Sequence, residues 1–503
     1  MTRKILYAMA LALIVSTASA APIRYAEDRS PAIVNPIFAT SMSEARLNEL
    51  VFEGLFGDDQ ELRSAPVLAE SLALNEDRMG GRLTLRKGVK WHDGEPFGAD
   101  DVLFTIESMQ NPQTASTEAG RAGWIASATK LTDNMIDLKF ASEEYAPADK
   151  LHFKILPAHR FSGTTIKRTD PFRTRPIGTG PYMVIGFNDD NSITMQRSLS
   201  YWGESHIDEF IMREVADKNY QAKLLIYESL EALVRVLPRD LAALQADRKI
   251  ELYPYQTNSW WYMGFNLRDP RLNDPRVREA INHMVDVEAL LAPIGTGDLL
   301  SGPFVKSSPF YDHNVKSKRA NPDKARSLME AAGWTMNGRQ WEKDGRPLKL
   351  RLATQQNLET AQDVVINMQA QLQNQGVIVE PVFLPVAEWK QKVWKDGDFD
   401  LILSQWSFDR NEDVYEQFHS KGTRNFVKYS NPQVDQLLDD ARLAADPQEK
   451  KKLLRQVHAV VATETPMVFL WTLDSYSALS TRIGRVVVHP FYFFTWAREW
   501  EVN

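Results

Sequence analysis

The chain has 503 residues, a formal net charge of −7, 43% hydrophobic residues, 25% charged residues and no cysteine. This composition is typical of a globular protein, and the length exceeds the roughly 250–300 residues at which a single hydrophobic core stops growing, so two or more lobes are expected. The missing cysteine excludes disulfides, thiolate metal sites and cysteine nucleophiles, and the acidic balance argues against a nucleic-acid partner.

The N-terminus has the pattern of a secretory signal peptide over residues 1–20. Arg3 and Lys4 precede an apolar run, and small residues follow as far as Ala20. The apolar run is shorter than the ~18–20 residues that span a bilayer. We expect cleavage after Ala20 and export to a Gram-negative periplasm, with an uncleaved membrane anchor as the alternative. A chain without cysteine has no residue for an N-terminal lipid, so the mature protein is expected to be free in that compartment.

Strand and helix patterns alternate along the first half of the chain. Residues 81–88 alternate apolar and polar side chains, which predicts a half-buried strand that ends in a glycine turn. Residues 100–109 are predicted to form a helix, and Val102 and Ile106 belong to its apolar side. Runs typical of strands occupy much of 193–215.

The second half gives clearer helix signals. Asn-Pro or Asp-Pro pairs that begin at 321, 431 and 446 predict helix starts, because Asn or Asp caps the first turn and proline fits its first position. The predicted elements are helices that start at 322, 360, 432 and 447 and strands over 377–384 and 400–403. Strand–helix–strand order implies a parallel sheet with helices on its faces, and hence an α/β protein.

No reactive constellation is visible in the sequence. The G-x-S-x-G, H-E-x-x-H and G-x-x-x-x-G-K-[ST] motifs are absent. His152 and His159 lie seven residues apart, which is weak support for a metal site. The sequence therefore predicts a protein that is not an enzyme and that has no metal site and no cofactor.

One segment resembles a family signature. Residues 85–97, Leu-Arg-Lys-Gly-Val-Lys-Trp-His-Asp-Gly-Glu-Pro-Phe, and then Ala-Asp-Asp-Val closely resemble the signature of family 5 extracellular solute-binding proteins. These proteins are the peptide, opine and nickel receptors of ABC importers. Further blocks resemble the family in the same order, at 53–55, 66–71, 178–182, 201–203, 265–266, 274–282, 321–325, 397–400, 431–438 and 465–466. Each block is weakly specific alone, but together they cover nearly the whole mature chain.

The resemblance implies an α/β, two-lobed periplasmic-binding-protein fold with an extra subdomain inserted in the first lobe. Such lobes close around a ligand. The expected segments are 21–50, 172–259 and 472–503 for the core of lobe I, 51–171 for the inserted subdomain, and 260–471 for lobe II. His92, within the signature, is then expected to be scaffold of the inserted subdomain and not part of the pocket.

The resemblance also implies an anchor for a peptide amine. In peptide-binding members an aspartate three residues after a tryptophan pairs with the α-amine, and Asp409 stands in that position after Trp406. A carboxylate desolvated by closure would form a charge-assisted bond with the ammonium, and a surface carboxylate is the alternative. Dipeptide binders also resemble one another in an arginine that binds the ligand carboxylate, where this chain has neutral Gln355 and Gln356. A short peptide held at both ends is therefore not expected.

Two further segments are expected beside the cleft. At the crossover between the lobes, strand alternation places Trp261 and Met263 on one face and Trp260 and Tyr262 on the other, so only one pair can face a ligand. We expect Trp261 and Met263 in the site, with packing at the hinge as the alternative. The segment from Pro31 to Ser43, which includes Met42, resembles the first-lobe loop that lines the cleft in relatives.

The sequence thus predicts a periplasmic receptor that captures a peptide or peptide-like solute. It would deliver this ligand to the membrane permease subunits of an ABC importer, as a monomer and without nucleic acid. A receptor for an opine or an oligosaccharide is the alternative, favoured by 13 tryptophans and the missing arginine. An enzyme on this scaffold and a structural or chaperone-like protein with an empty cleft are more distant alternatives.

Overall fold

The computed structural model describes residues 21–256, 259–358, 360–407, 412–444 and 446–503. The predicted cleavage position at Ala20 and the predicted anchor Asp409 lie outside these residues. Within them, no helix combines the length and the apolar character needed to cross a membrane.

The described strands are distributed over the whole chain. In chain order they are β1 (Ile23–Glu27), β2 (Phe56–Asp58), β3 (Ser64–Pro66), β4 (Ala69–Leu74), β5 (Gly80–Leu85), β6 (Ile125–Thr132), β7 (Met135–Phe140), β8 (Tyr182–Phe187), β9 (Ile193–Arg197), β10 (Glu209–Glu214), β11 (Ala232–Leu233), β12 (Ile250–Gln256), β13 (Ser259–Phe265), β14 (Gly297–Leu299), β15 (Thr335–Asn337), β16 (Gln340–Lys343), β17 (Arg346–Pro347), β18 (Lys349–Gln355), β19 (Ile378–Leu384), β20 (Leu401–Ser407), β21 (Met467–Phe469), β22 (Trp471–Ser480), β23 (Ile483–Gly484) and β24 (Glu501–Val502).

Helices alternate with these strands, which confirms the α/β class. In chain order the α-helices are α1 (Met42–Val51), α2 (Ala99–Gln110), α3 (Ala119–Ala122), α4 (Pro147–Lys150), α5 (Lys218–Ile226), α6 (Leu241–Gln245), α7 (Pro275–Met284), α8 (Val287–Leu291), α9 (Pro322–Ala331), α10 (Ala361–Asn374), α11 (Val386–Trp389), α12 (Tyr415–Phe418), α13 (Pro432–Leu443) and α14 (Pro447–Glu464).

The helix starts predicted at Asn321, Asn431 and Asp446 are confirmed, and Asp274 caps α7 in the same way. Each side-chain oxygen accepts a hydrogen bond from a backbone N–H two or three residues on, and proline follows at the first helical position. These caps satisfy N–H groups that have no partner inside the helix. Gly376 follows α10 with a φ of +89°, a conformation that glycine adopts without strain.

Lobe I is built on seven strands of an eight-stranded sheet, in the order β12-β22-β11-β1-β10-β9-β8. The eighth strand, β14, pairs only with residues 471–473 of β22, which pack against the core of lobe II. A separate four-stranded antiparallel sheet, β4-β5-β7-β6, comes from the chain between β1 and β8. One apolar cluster includes Ile23 from the large sheet, Leu47 from α1 and Leu83 from the small sheet, so the two sheets share a core.

Lobe II is built on a five-stranded sheet in the order β19-β18-β20-β13-β21. β18 runs parallel to β19 and β20, whereas β13 runs antiparallel to β20 and β21. The predicted parallel sheet is confirmed for β18, β19 and β20, which pair in parallel. β21 points in the same direction, but the reversed strand β13 lies between it and β20. Two apolar clusters lie on opposite faces of this sheet, one with Met263 and Met368 and the other with Tyr262 and Val457.

Two crossovers connect the lobes. The first runs from Gln256, the last residue of β12, to Ser259, the first residue of β13. The second runs from β21 into β22, which pairs first with β14 and then with β12 and β11. The residue boundaries given above for the lobes stay a prediction. The two crossovers nevertheless show which end of each strand in the two sheets lies toward the hinge.

Candidate ligand-binding cleft

The strand directions place two sets of strand ends opposite each other. β12 leaves lobe I at its carboxyl end, and β11, β1 and β10 run in the same direction, so their carboxyl ends point toward lobe II. β13 enters lobe II at its amino end and is antiparallel to β20, so the carboxyl ends of β20, β18 and β19 point toward lobe I. Ligands of open α/β sheets bind outside the carboxyl ends of strands. The space between these two sets of ends is the candidate binding cleft.

The wall on the side of lobe I contains a largely buried ion pair. Glu27 is the last residue of β1, and Arg46 belongs to α1, the α-helix that follows. Arg46 Nε donates to Glu27 Oε1 at 2.7 Å, and Arg46 Nη2 donates to Glu27 Oε2 at 2.6 Å. Burial alone would lower the pKa of Arg46, but the hydrogen bonds and attraction of Glu27 raise it above its usual value. The two charges thus satisfy each other.

Met42 begins α1 on the same wall. The contact of Arg46 with Glu27 keeps this part of α1 at the carboxyl end of β1. Ser41 and Glu44 form a capping box, in which each side chain accepts a hydrogen bond from the other residue's backbone N–H. The helix start is therefore fixed, and the Met42 side chain is 47% exposed, so it offers a flexible apolar contact.

The wall on the side of lobe II carries neutral amides. Gln355 is the last residue of β18; its side chain is half-buried and makes no hydrogen bond to another described residue. Gln356 is exposed, and its Nε2 donates to the carbonyl oxygen of Phe383 at 3.2 Å. Because an amide offers both a donor and an acceptor, Gln355 is available to pair with an amide or hydroxyl group of a ligand.

Trp406 lies near the carboxyl end of β20 and is held from several sides. Its Nε1 donates to the side-chain oxygen of Gln417 at 2.8 Å when that amide is oriented toward the indole. The guanidinium carbon of Arg424 lies 5.6 Å from the Trp406 ring centroid, and the centroid of Phe426 lies 6.5 Å from it. The indole is half-buried.

The residues at the crossover alternate between the two faces of β13 as predicted, but the pair expected in the binding site lies in the core. Trp261 and Met263 belong to one apolar cluster, and Trp260 and Tyr262 belong to the other. Because helices cover both faces of β13, Trp261 is only 3% exposed and Met263 is fully enclosed. A side chain enclosed by the core offers no surface to a ligand, so the structure places Trp261 and Met263 in the core of lobe II instead of in the binding site.

The predicted amine partner, Asp409, falls between Ser407 and Glu412, outside the described residues. β20 is one of the strands whose carboxyl ends point toward lobe I, so the chain leaves Ser407 at the edge of the sheet that faces the cleft. The role of Asp409 stays a prediction.

His92 is a structural tie, as expected. Its Nδ1 accepts a hydrogen bond from the backbone N–H of Gly178 at 3.1 Å, and its Nε2 lies 2.9 Å from the carbonyl oxygen of Gly180. Burial lowers the pKa of His92 to about 4, so the ring is neutral near pH 7. An added Cβ at Gly178 would clash with the carbonyl oxygen of Val51, so the turn that His92 binds needs glycine there.

The two histidines considered for a metal site have separate partners. His152 Nε2 is hydrogen-bonded to Ser64 Oγ at 2.9 Å, and His159 Nε2 is hydrogen-bonded to Asp93 Oδ2 at 2.8 Å. Among the described residues, no group of three His, Asp or Glu side chains is arranged to hold a metal ion.

Polar contacts at the hinge were not visible in the sequence. Gln256 Nε2 donates to Asp298 Oδ2 at 3.0 Å and to Asp474 Oδ1 at 2.9 Å, and Lys306 Nζ lies 2.9 Å from Asp298 Oδ1. Burial would raise the pKa of Asp298, but the hydrogen bonds from Gln256 and Lys306 lower it. These contacts tie β12, β14 and β22 together beside the crossovers. The partners of Gln256 are 42 and 218 residues away in sequence, so no local motif could indicate them.

Comparison with known proteins identifies the family. The family model described as bacterial extracellular solute-binding proteins, family 5 Middle, matches residues 64–426. The chain belongs to this family. Members of this family are extracellular solute-binding proteins.

Two relatives and one solved structure illustrate the similarity. The oligopeptide-binding protein AppA of Bacillus subtilis (strain 168) is 24% identical over 480 residues, which cover 92% of this chain and 88% of AppA. The glutathione-binding protein GsiB of Pectobacterium atrosepticum is 26% identical over 500 residues, which cover 95% of this chain and 94% of GsiB. The crystal structure of NikA from Brucella suis in complex with Fe(III)-EDTA matches with a TM-score of 0.84 at 19% identity, over 96% of this chain and 100% of NikA. The last comparison shows a common two-lobed fold.

Proposed function

We propose that the protein is a periplasmic receptor that captures a peptide or peptide-like solute between its lobes and delivers it to the permease subunits of an ABC importer. The observation that carries the proposal is the meeting of two sets of carboxyl strand ends across a hinge of two crossovers. Closure of the lobes would bury a ligand at these ends and present a changed surface to a permease. The relatives named for oligopeptides and glutathione support a peptide as the ligand.

In this proposal the contacts with the ligand are divided between the lobes. Asp409 pairs with the amine of the peptide, Trp406 packs against its apolar part, and the amide of Gln355 bonds its backbone. Lobe I contributes Met42 as an apolar contact. The charges of Glu27 and Arg46 pair with each other instead of with the ligand, and the pair shapes the wall of the cleft on the side of lobe I.

The proposal extends to export and to the absence of turnover. The signal peptide would direct the chain to the periplasm and be removed after Ala20, and the receptor would act as a monomer that releases its ligand unchanged. N-terminal sequencing of the protein recovered by osmotic shock tests the export step. A chain that starts at Ala21 is expected, and recovery only in the membrane pellet with Met1 retained would contradict it.

A thermal-shift screen tests the ligand class. The ligands are peptides of different lengths, the same peptides with acetylated amines, opines and oligosaccharides. A ligand at about a hundredfold excess over its Kd stabilises the fold by about 2.7 kcal/mol, so a true ligand raises the melting temperature clearly. Peptides with a free amine are expected to do so. Conversion of a bound ligand to a product would contradict a receptor without enzymatic activity.

A receptor for an opine or an oligosaccharide is the second candidate. Its support is the combination of the neutral amides of Gln355 and Gln356 with the half-buried indole of Trp406 at the same edge of the sheet. Amides bond hydroxyl groups, and aromatic rings pack on the apolar face of a sugar. A shift caused by oligosaccharides or opines and by no peptide would favour this candidate over the first.

A further inference from the structure

Lobe II contains a cavity outside the cleft, beside the last strand of its sheet. β21 is at one end of the strand order, and a cavity of about 210 Å³ lies between it, α7 and the end of α14. Trp406 belongs to β20, which is separated from β21 by β13, and no residue of the cleft walls described above lines this cavity. A cavity of ~150 Å³ can hold benzene, so this one has room for a small organic molecule.

The polar side of this cavity carries a lysine without a close counter-ion. Lys318 is half-buried; its Nζ donates to Thr465 Oγ1 at 2.6 Å, and no carboxylate oxygen of a described residue lies within 4.0 Å of it. Glu279 also lines the cavity, but it is paired with Lys324 at 2.8 Å. Burial lowers the pKa of Lys318, attraction to Glu279 raises it, and repulsion by Lys324 and Arg278 lowers it again. An anion in the cavity would stabilise the charged form of Lys318.

Asn282 gives the cavity a second hydrogen-bond donor. It follows Glu279 by one turn on α7, lines the cavity and is only 8% exposed. Its side-chain amide makes no hydrogen bond to another described residue, and its polar atoms keep contact with solvent, so the amide is accessible from the cavity. A ligand with an acceptor atom would replace the water that this amide otherwise meets.

The remaining residues that line the cavity indicate which apolar part a ligand would need. Leu300, Met467 and Phe469 give the cavity an apolar wall, and the exposed Lys316 adds a second positive charge at its rim. Ammonium and amide N–H groups both donate to carboxylate oxygens, which accept several hydrogen bonds at once. The lining therefore fits a molecule that carries a carboxylate on a compact apolar body.

We propose that this cavity is a second binding site of the protein, specific for a small carboxylate with an apolar body. The carboxylate pairs with Lys318 and Asn282, and the apolar body packs against Leu300, Met467 and Phe469. The site does not depend on which ligand occupies the cleft between the lobes.

Calorimetric titration of sodium benzoate at constant ionic strength tests the site. The wild-type chain is expected to bind one benzoate. Lys318→Met is expected to weaken binding at least about tenfold, and Asn282→Ala about three- to tenfold, because hydrogen bonds to a charged group are stronger than those between neutral groups. The control is Lys452→Met, which removes the same charge from an exposed position on α14 and is expected to change the affinity less than about twofold.

Several outcomes would overturn this proposal. They are no binding of benzoate to the wild type, unchanged binding to Lys318→Met, benzyl alcohol bound as tightly as benzoate, and inorganic phosphate bound as tightly as benzoate. Equal binding of benzyl alcohol would show that the site does not recognise the charge of the carboxylate. Equal binding of phosphate would show that it does not recognise the apolar body. Circular dichroism reports whether each variant is folded, and Asn282→Ala decides the question if Lys318→Met does not fold. Peptides that bind the cleft should bind Lys318→Met as they bind the wild type, so the two proposals fail separately.

Discussion

The two walls of the cleft hold their polar groups in opposite states. On the side of lobe I, the buried Glu27 and the largely buried Arg46 are joined by two hydrogen bonds. On the side of lobe II, the amide of Gln355 has no partner among the described residues, and the indole of Trp406 is half-buried. Charge near a cleft therefore does not by itself mark a binding group, because a charge can be committed to the fold. We expect changes on the first wall to alter stability and changes on the second to alter affinity.

The largest effect is expected for Glu27→Gln. It leaves the guanidinium of Arg46 buried without its counter-charge, which typically costs ~3–5 kcal/mol of unfolding free energy. Urea unfolding of the wild type and the variant measures this loss. Glu228→Gln breaks the exposed pair with Lys249 and should cost less than ~1 kcal/mol. A loss below ~1 kcal/mol for Glu27→Gln would show that the buried pair does not support the wall.

Trp406→Ala should affect affinity instead. Removal of a well-packed tryptophan at a binding site typically costs ~2 kcal/mol or more, which corresponds to about a 30-fold weaker Kd for the peptide found in the thermal-shift screen. Met42→Ala, on the opposite wall, should cost less than ~1 kcal/mol of binding free energy, because an exposed flexible side chain loses little packing. Titration calorimetry of both variants tests the contrast, and a larger effect of Met42→Ala would reverse it.

Each lobe also contains a histidine that burial keeps neutral. The pKa values of His92 and His458 are lowered to about 4, whereas an unfolded histidine titrates near ~6.5. Between these values the unfolded state binds more protons. The stability that the neutral rings contribute is therefore complete above pH ~6.5 and is lost as the pH falls toward ~4.

The fully enclosed His458 allows a direct test of this pH dependence. His458 Nε2 is hydrogen-bonded to Ser301 Oγ at 2.9 Å, and His458→Gln keeps a polar group there without a titrating ring. Between pH 7 and pH 5 the wild type should lose about 2 kcal/mol more of unfolding free energy than the variant. Urea unfolding at both pH values measures the difference, and equal losses in the two proteins would contradict a buried neutral His458.

The smallest effect separates two adjacent glutamines. Gln355→Ala should cost ~1 kcal/mol of binding free energy and leave stability unchanged, because its amide is free of partners among the described residues. Gln356 donates to Phe383, so Gln356→Ala should affect binding by less than ~0.5 kcal/mol. Equal effects of the two variants on Kd would show that the hydrogen bond of Gln356 to Phe383 does not determine which of the two amides binds the ligand.

Local patterns predicted the helices well. Asn321, Asn431 and Asp446 each precede proline, and the cap that this pair predicts requires only two or three neighbouring residues. The alternation of Trp260 to Met263 was predicted for the same reason, since a strand alternates whatever surrounds it. The prediction that Trp261 and Met263 lie in the binding site was wrong, because alternation does not reveal whether helices cover both faces of β13.

The binding site could be predicted only in part. Trp406 and Gln355 were found through the resemblance to a family, and the strand directions explain why the ends of β18 and β20 share an edge of the sheet. The Glu27–Arg46 pair and the contacts of Gln256 depend on how helices and crossovers meet in space. Side chains of these types are common on protein surfaces, so the sequence gives no signal that they are buried or paired.

The central claim, that a peptide binds in the cleft through its amine, is tested most directly by a two-by-two calorimetric titration. A peptide identified in the screen and its N-acetylated form are titrated into the wild type and Asp409→Asn. Loss of one member of a buried, hydrogen-bonded charge pair costs ~2–5 kcal/mol, so either change alone should weaken binding at least about 30-fold. Both together should add little, because they remove the same contact. Equal affinity of the wild type for the free and the acetylated peptide would contradict the claim.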